Sequence, residues 1–212
     1  MAPRTKRRPP RDDARPAAGD RSAASYPGSI RIIGGQWRSR RLPVLAAEGL
    51  RPTPDRVRET LFNWLAPYIE GAACLDLFSG TGALCLEALS RGAARVVMVE
   101  RQPAAVAQLR ANLARLGATG AEVVAGDALE YLAGQAPPFD VVFLDPPFAT
   151  APEMIRACGE RIARRWIKPG GLVYIEAPRT LKELPVPADW EPLKRNTAGQ
   201  VAFSLWRLPA DG

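Results

Sequence analysis

Residues 73–91 read Ala-Cys-Leu-Asp-Leu-Phe-Ser-Gly-Thr-Gly-Ala-Leu-Cys-Leu-Glu-Ala-Leu-Ser-Arg, and their order decides the architecture. The apolar run over 73–78 predicts a buried strand. Ser79-Gly80-Thr81-Gly82 breaks it, and residues 83–91 predict a helix. Strand, glycine turn and helix in succession form the first unit of an open α/β sheet that holds a nucleotide-like ligand at its strand ends. The glycines supply positive φ and let a ligand approach the backbone. The turn is not a P-loop, because no Gly-Lys-Ser/Thr follows, and Cys85 is a poor fit to the dinucleotide fingerprint.

The same alternation continues downstream. Strands are predicted over 95–100, 121–125, 139–144 and 172–176, with helices over 103–116, 128–134 and 151–166 between them. Alternating strands and helices give a mainly parallel sheet with both faces covered. Residues 190–195 and 200–208 read as two more strands, antiparallel to the rest. Upstream, Arg51-Pro52-Thr53-Pro54 leads into a helix reaching about residue 68, with Thr53 as N-cap and Pro54 in the first turn. Its apolar face is Val57, Leu61, Phe62, Trp64 and Leu65. Residues 30–33 and 37–44 predict a hairpin around Gly34-Gly35. Residues 1–28 lack apolar periodicity and read as a disordered basic tail. The expected division is a tail over 1–28, a basic β-hairpin extension over 29–50 and one domain over 51–212.

Composition removes whole classes of chemistry. The 212 residues include no histidine, which excludes Ser-His and Cys-His catalysis and histidine-bound metals. Cys74, Cys85 and Cys158 are odd in number and form no Cys-x-x-Cys pair, so neither a disulfide framework nor a metal site is expected. No apolar run approaches a membrane span, and the N-terminus lacks a secretory apolar core. A cytoplasmic monomer without membrane attachment is the expectation. Residues 1–59 hold 14 Arg or Lys against 6 Asp or Glu, whereas the remainder holds 15 against 16. A basic appendage on a neutral domain points to a polyanionic partner, most simply a nucleic acid. Arg31, Arg38, Arg40 and Arg41 cluster around the hairpin, and their planar forks suit phosphates.

Three acids end successive strands. Asp76 precedes the glycine turn and suits a cationic ligand. Glu100 lies 18 residues after Gly82, where an acid can hold both hydroxyls of a ribose. Asp127 can accept from an adenine amine, or merely cap the next helix. Ribose, adenine amine and positive charge occur together in S-adenosylmethionine. The fourth strand then ends at Asp145-Pro146-Pro147-Phe148. Two prolines cannot donate to a ladder, so a carboxylate, undonated carbonyls and an aromatic ring remain at the ligand edge. That set suits a flat ring bearing an amine. The Asp145 carboxylate and Pro146 carbonyl would accept its hydrogens, Pro147 would stiffen the turn, and Phe148 would stack on the base.

These motifs, in this order, resemble Rossmann-like class I methyltransferases that modify amines. Gly34-Gly35-x-Trp37-x-x-Arg40, Arg51-Pro52-Thr53 and Arg56-Val57-Arg58-Glu59 narrow the resemblance to the RsmD family, over about residues 30–208. The resemblance implies a seven-stranded, mostly parallel sheet with helices on both faces and a small N-terminal hairpin. It implies methylation of the exocyclic N2 of a guanine in 16S ribosomal RNA, on an assembled or partly assembled small subunit. Catalysis would fall to Asp145, Pro146, Pro147 and Phe148. Thr53, Asp76, Phe78, Ser79, Gly80, Thr81, Gly82, Glu100, Arg101, Asp127 and Ala128 would bind the cofactor. Arg31, Arg38, Arg40, Arg41, Arg51, Arg56 and Arg58 would contact RNA. Two alternatives stay open on the residues alone: an adenine-N6 methyltransferase on DNA or RNA, and a non-catalytic RNA-binding assembly factor.

Overall fold

The computed structural model describes residues 28–44 and 53–210. The expected tail, except Gly28, and Arg51 lie outside them. A two-stranded antiparallel sheet, β1 (Ser29–Arg31) and β2 (Arg41–Pro43), precedes the main body. Helix α1 (Asp55–Leu65) leads to β3 (Ala73–Asp76), α2 (Ala83–Ser90), β4 (Arg95–Glu100), α3 (Pro103–Leu116) and β5 (Ala121–Ala125). Then come α4 (Ala128–Ala133), β6 (Phe139–Leu144), α5 (Ala151–Arg161), β7 (Ile167–Pro178), β8 (Glu191–Ala198) and β9 (Val201–Arg207). The large sheet runs β5-β4-β3-β6-β7-β9-β8. Its first five strands are parallel, and β9 is antiparallel to both of its neighbours.

Strand alternation sends successive side chains to opposite faces, and each face has its own core. Cys74, Val141, Phe143 and Tyr174 pack beneath α1, α2 and α3. Leu75, Val142, Leu144, Val173 and Ile175 pack against α4 and α5. The strand order reverses between β3 and β6. A crevice opens at such a point over the strands' C-terminal ends.

Several elements differ from expectation at their ends. Helix α1 stops at Leu65, and its N-cap is Pro54, with no side-chain cap bond. Thr53 therefore does not cap it; the Thr53 carbonyl instead accepts from Arg58 Nε at 3.3 Å. The helical run after Ala151 loosens into a π turn over Ile162–Trp166. Strand β7 begins at Ile167, because the Lys168–Gly171 segment is absorbed as a bulge: the register steps from Phe139↔Ile167 to Val141↔Leu172. The hairpin's second strand is confined to Arg41–Pro43, since residues 36–39 form turns.

The hairpin is packed into the main body. Ile30, Ile32 and Leu42 are buried in the same core as α1 and α2. Each such side chain contributes about 1.5–3 kcal/mol on burial. Buried Glu87 of α2 accepts from the amides of Ile33 and Gly34, both at 2.8 Å. The Ser90 hydroxyl accepts from Trp37 N and donates to the Gly34 carbonyl at 2.6 Å. Gly35 sits at φ +75°, and a Cβ there would lie 1.7 Å from the Ser90 carbonyl oxygen, so only glycine fits.

Candidate active site

Chain direction puts the C-terminal ends of β3, β4, β6 and β7 on one edge: β3 and β4 end at an acid, β6 ends just before one, and β7 carries one two residues before its end. Asp76 closes β3 and is buried. Its Oδ1 accepts from Phe78 N at 3.1 Å, and its Oδ2 accepts from the Cys85 thiol at 3.4 Å. Glu100 closes β4 and fastens the glycine turn: Oε2 accepts from Gly80 N at 2.8 Å and Oε1 from Gln102 N at 2.7 Å. Each carboxylate oxygen can accept more than one bond, so Glu100 can hold the turn and still receive a ligand hydroxyl. Gly80 and Gly82 have φ of +50° and +78°. A Cβ on Gly82 would meet Leu109 Cδ2 at 2.5 Å. The turn is thus confined to glycine at Gly82 by helix packing as well as by backbone conformation.

Asp127 divides its capacity. It caps α4, with Oδ1 accepting from Leu129 N at 2.8 Å and Glu130 N at 3.4 Å. Both bonds use the same oxygen, which leaves Oδ2 for a ligand. Ala128 is buried beside it, and Arg101, after β4, is exposed. Phe78 and Thr81 are partly exposed around the turn, while Ser79 is buried with its hydroxyl donating to the Asp76 carbonyl at 3.2 Å.

Asp145 follows β6 and remains partly accessible. Burial raises its pKa well above the usual carboxylate range, and the charges of Glu176 and Asp76 add to this. Among the described residues, no amide donates to the Pro146 carbonyl, and no group bonds to the Asp145 carboxylate. Pro147 is exposed at φ −53°, and Phe148 opens a short 3-10 turn, half-buried. Two acceptors therefore stand without donors beside an available aromatic ring.

Glu176 escaped the sequence reading. It lies near the end of β7 and is only 3% exposed. Its Oε1 accepts from the Tyr174 hydroxyl at 2.8 Å, and the Thr53 side chain also favours its ionised form. Burial pushes it up to about 7. Asp76 is likewise pushed up to about 7, first by burial and then by Glu100 and Glu176, against the Phe78 amide and Cys85 thiol. The sequence signal for Glu176 was present, since it is the last residue of the strand predicted over 172–176. Its apolar neighbours made it look like the close of an ordinary core strand.

Asp76, Glu100, Asp145 and Glu176 make no ion pair with Lys or Arg among the described residues. Buried charge left so is costly unless a cation arrives. The acids do not group as a metal site among the described residues. An organic cation bearing hydroxyls and an amine fits the set: Asp76 and Glu100 beside the glycine turn, Asp127 with one spare oxygen. The residues present therefore suit S-adenosylmethionine.

The basic residues separate into two kinds. Arg38, Arg40, Arg41 and Arg56 are exposed. Arg31 is half-exposed and pairs with Asp55 at 3.0 Å. Arg58 corrects the expectation of a surface contact. It is 1% exposed, donates to the Arg31 carbonyl at 2.8 Å, and pairs with Asp55 and Glu87. It is an internal strut between hairpin, α1 and α2, out of reach of an RNA on the surface.

A family model described as Conserved hypothetical protein 95 matches residues 30–207. Ribosomal RNA small subunit methyltransferase D of Escherichia coli is 49% identical over 188 residues, 87% of this chain and 93% of the relative. Its namesake in Haemophilus influenzae is 46% identical, across 85% of this chain and 94% of the relative. The solved structure of the Escherichia coli yhhF protein superposes with a TM-score of 0.80 at 45% identity, covering 87% of this chain and 100% of that one.

Proposed function

The chain belongs to the RsmD family of ribosomal RNA small subunit methyltransferases, and from that premise we propose its reaction and substrate. It transfers a methyl group from S-adenosylmethionine to the exocyclic N2 of a guanine in 16S ribosomal RNA, within an assembled or partly assembled small subunit, in the cytoplasm. Family membership supports the methyl donor and the RNA. The observation that carries the chemistry is the undonated pair of acceptors at Asp145 and Pro146.

An exocyclic guanine amine is a weak nucleophile because its lone pair is delocalised into the ring. Acceptors aimed at its two hydrogens favour a pyramidal nitrogen with a freer lone pair. Asp145 and the Pro146 carbonyl take those hydrogens, and Phe148 stacks on the extruded base. S-adenosylmethionine, when bound, supplies an electrophilic methyl on a sulfonium that leaves as a neutral thioether. Asp76, Glu100, Asp127 and the glycine turn are the residues that would hold it. Alignment of the two reactants contributes more than any acid–base step. The displaced proton leaves after methyl transfer, to Asp145 or to water.

The test is methylation of small-subunit particles from cells that lack this enzyme, using labelled S-adenosylmethionine, followed by nucleoside mass analysis and mapping. N2-methylguanosine at one site is the expected product. N6-methyladenosine, or no incorporation into RNA, overturns the reading.

A further inference from the structure

Resting on the guanine-N2 reading, we propose that Glu176 determines base specificity by accepting the N1–H of the target guanine beside Asp145. The last ladder pair between β6 and β7 is Leu144↔Ile175. The next residues are Asp145, just past β6, and Glu176, still within β7 and paired with Phe203 of β9, so two acids stand side by side where the parallel ladder stops. Parallel neighbours lie about 4.8 Å apart. Phe143 and Tyr174, paired two residues earlier, put their side chains in the core beneath α1. Side chains repeat their face every second residue, so Asp145 and Glu176 share that face too.

Guanine presents two kinds of donor on one edge, the N2 amine and the N1–H next to it. The mechanism uses Asp145 and Pro146 for the amine hydrogens. The next acceptor along the sheet edge is Glu176, and the next donor along the base is N1–H. Adenine differs at that position: the ring nitrogen beside its amine is a lone pair, which a carboxylate repels. An acceptor here therefore separates the two bases that Asp-Pro-Pro-Phe alone does not.

Glu176 is held for such a task. The Tyr174 hydroxyl fixes Oε1, and Thr53, in the lead into α1, lies against the same carboxylate. Its small exposure keeps water from competing for the remaining lone pairs. Among the described residues no lysine or arginine neutralises it. A buried acceptor whose partner is absent is penalised, and sites built to bond a substrate N–H reject analogues lacking it.

The experiment uses small-subunit particles reconstituted with 16S RNA that carries either guanine or 2-aminopurine at the mapped target. 2-Aminopurine keeps the 2-amine but has an unprotonated N1. Initial rates of methyl transfer are compared for wild type, Glu176→Gln and Tyr174→Phe, with melting curves and S-adenosylmethionine calorimetry to check each protein. Wild type is expected to prefer guanine by about tenfold or more. Glu176→Gln can turn its amide N–H toward the bare N1 and should narrow that preference several-fold. Tyr174→Phe frees the carboxylate from its anchor and should narrow it as well, which keeps the assignment testable if the glutamine variant does not fold. A preference that is the same in wild type and in the folded variants overturns the assignment. So does a wild type that methylates both particles equally. No transfer by wild type to either particle overturns the guanine-N2 reading itself, and this assignment with it.

Discussion

Asp145 is the residue on which the proposed chemistry most depends. Its carboxylate carries no hydrogen bond from the described residues, so its removal leaves the surrounding scaffold intact. Asp145→Ala should therefore retain S-adenosylmethionine binding by calorimetry and lose roughly a hundredfold or more in methyl transfer. Unchanged turnover would refute the assignment. Asp76 and Glu176 give a second handle, because both are pushed up to about 7. For an acid whose pKa is raised on folding, the folded state binds the proton more tightly than the unfolded chain does. Its stabilising contribution is full below the unfolded value, about 4, and disappears as pH rises through about 7. Asp55 acts in the opposite sense and in a lower window, since its arginine partners outweigh its partial burial and hold it below the usual range. The cofactor-free protein should thus lose stability between about pH 4 and pH 7, read as a falling Tm. A cationic ligand restores the ionised acids, so binding near pH 6.5 should release protons. Calorimetry in two buffers of different ionisation enthalpy measures that release, and equal enthalpies would contradict it.

Among the elements, the union of the hairpin with α2 runs through one buried carboxylate, Glu87. Glu87 is fully buried and serves two hairpin amides, Arg91 at 2.7 Å and Arg58 at 3.5 Å. Glu87→Ala strips two amides and Arg91 of their acceptor and removes one of the partners of Arg58. Breaking a buried pair of this kind costs about 3–5 kcal/mol, and denaturant unfolding should read a loss of that size. A loss below about 1 kcal/mol would mean that core packing alone docks the hairpin. The helices and strands themselves were legible because each is a local pattern. Residues 95–100, 103–116, 121–125 and 139–144 match β4, α3, β5 and β6 at both ends. Acids at strand ends were legible for the same reason, which placed Asp76, Glu100 and Asp145 on one edge. Glu87 was not, because an acid inside the apolar run of α2 declares nothing about a partner 54 residues earlier. Arg58 misled in the same way. Its neighbours Arg56 and Glu59 are exposed, and only the packing of α1 on the hairpin turns Arg58 inward. The Lys168–Gly171 segment looked like a turn because its two glycines punctuate the chain, yet a parallel partner holds it within β7 as a bulge.

Across the whole molecule, charge is segregated by task. Among the described residues, the acids at the strand ends have no Lys or Arg partner, while the excess positive charge lies in the first 59 residues. Hairpin docking on α2 fixes Arg38, Arg40 and Arg41 to the rigid body rather than to a loose arm, and all three are exposed. If they grip RNA phosphates, binding should release counterions in proportion to the contacts made. Each contact contributes about 0.7 to 0.9 to the slope of log affinity against log salt. Replacing all three with alanine should therefore lower that slope by about two to three. The measurement is particle binding between about 50 and 200 mM salt. Affinity should fall most at low salt, where wild type gains most from its arginines, and the two curves should converge as salt rises. S-Adenosylmethionine affinity should not change, because these side chains lie on the hairpin and the acids at the strand ends. A variant that keeps the wild-type slope but still binds weakly would point to local damage of the hairpin. A variant that keeps both slope and affinity would remove the hairpin from the docking surface, and leave exposed Arg56 at the start of α1 as the next candidate to neutralise.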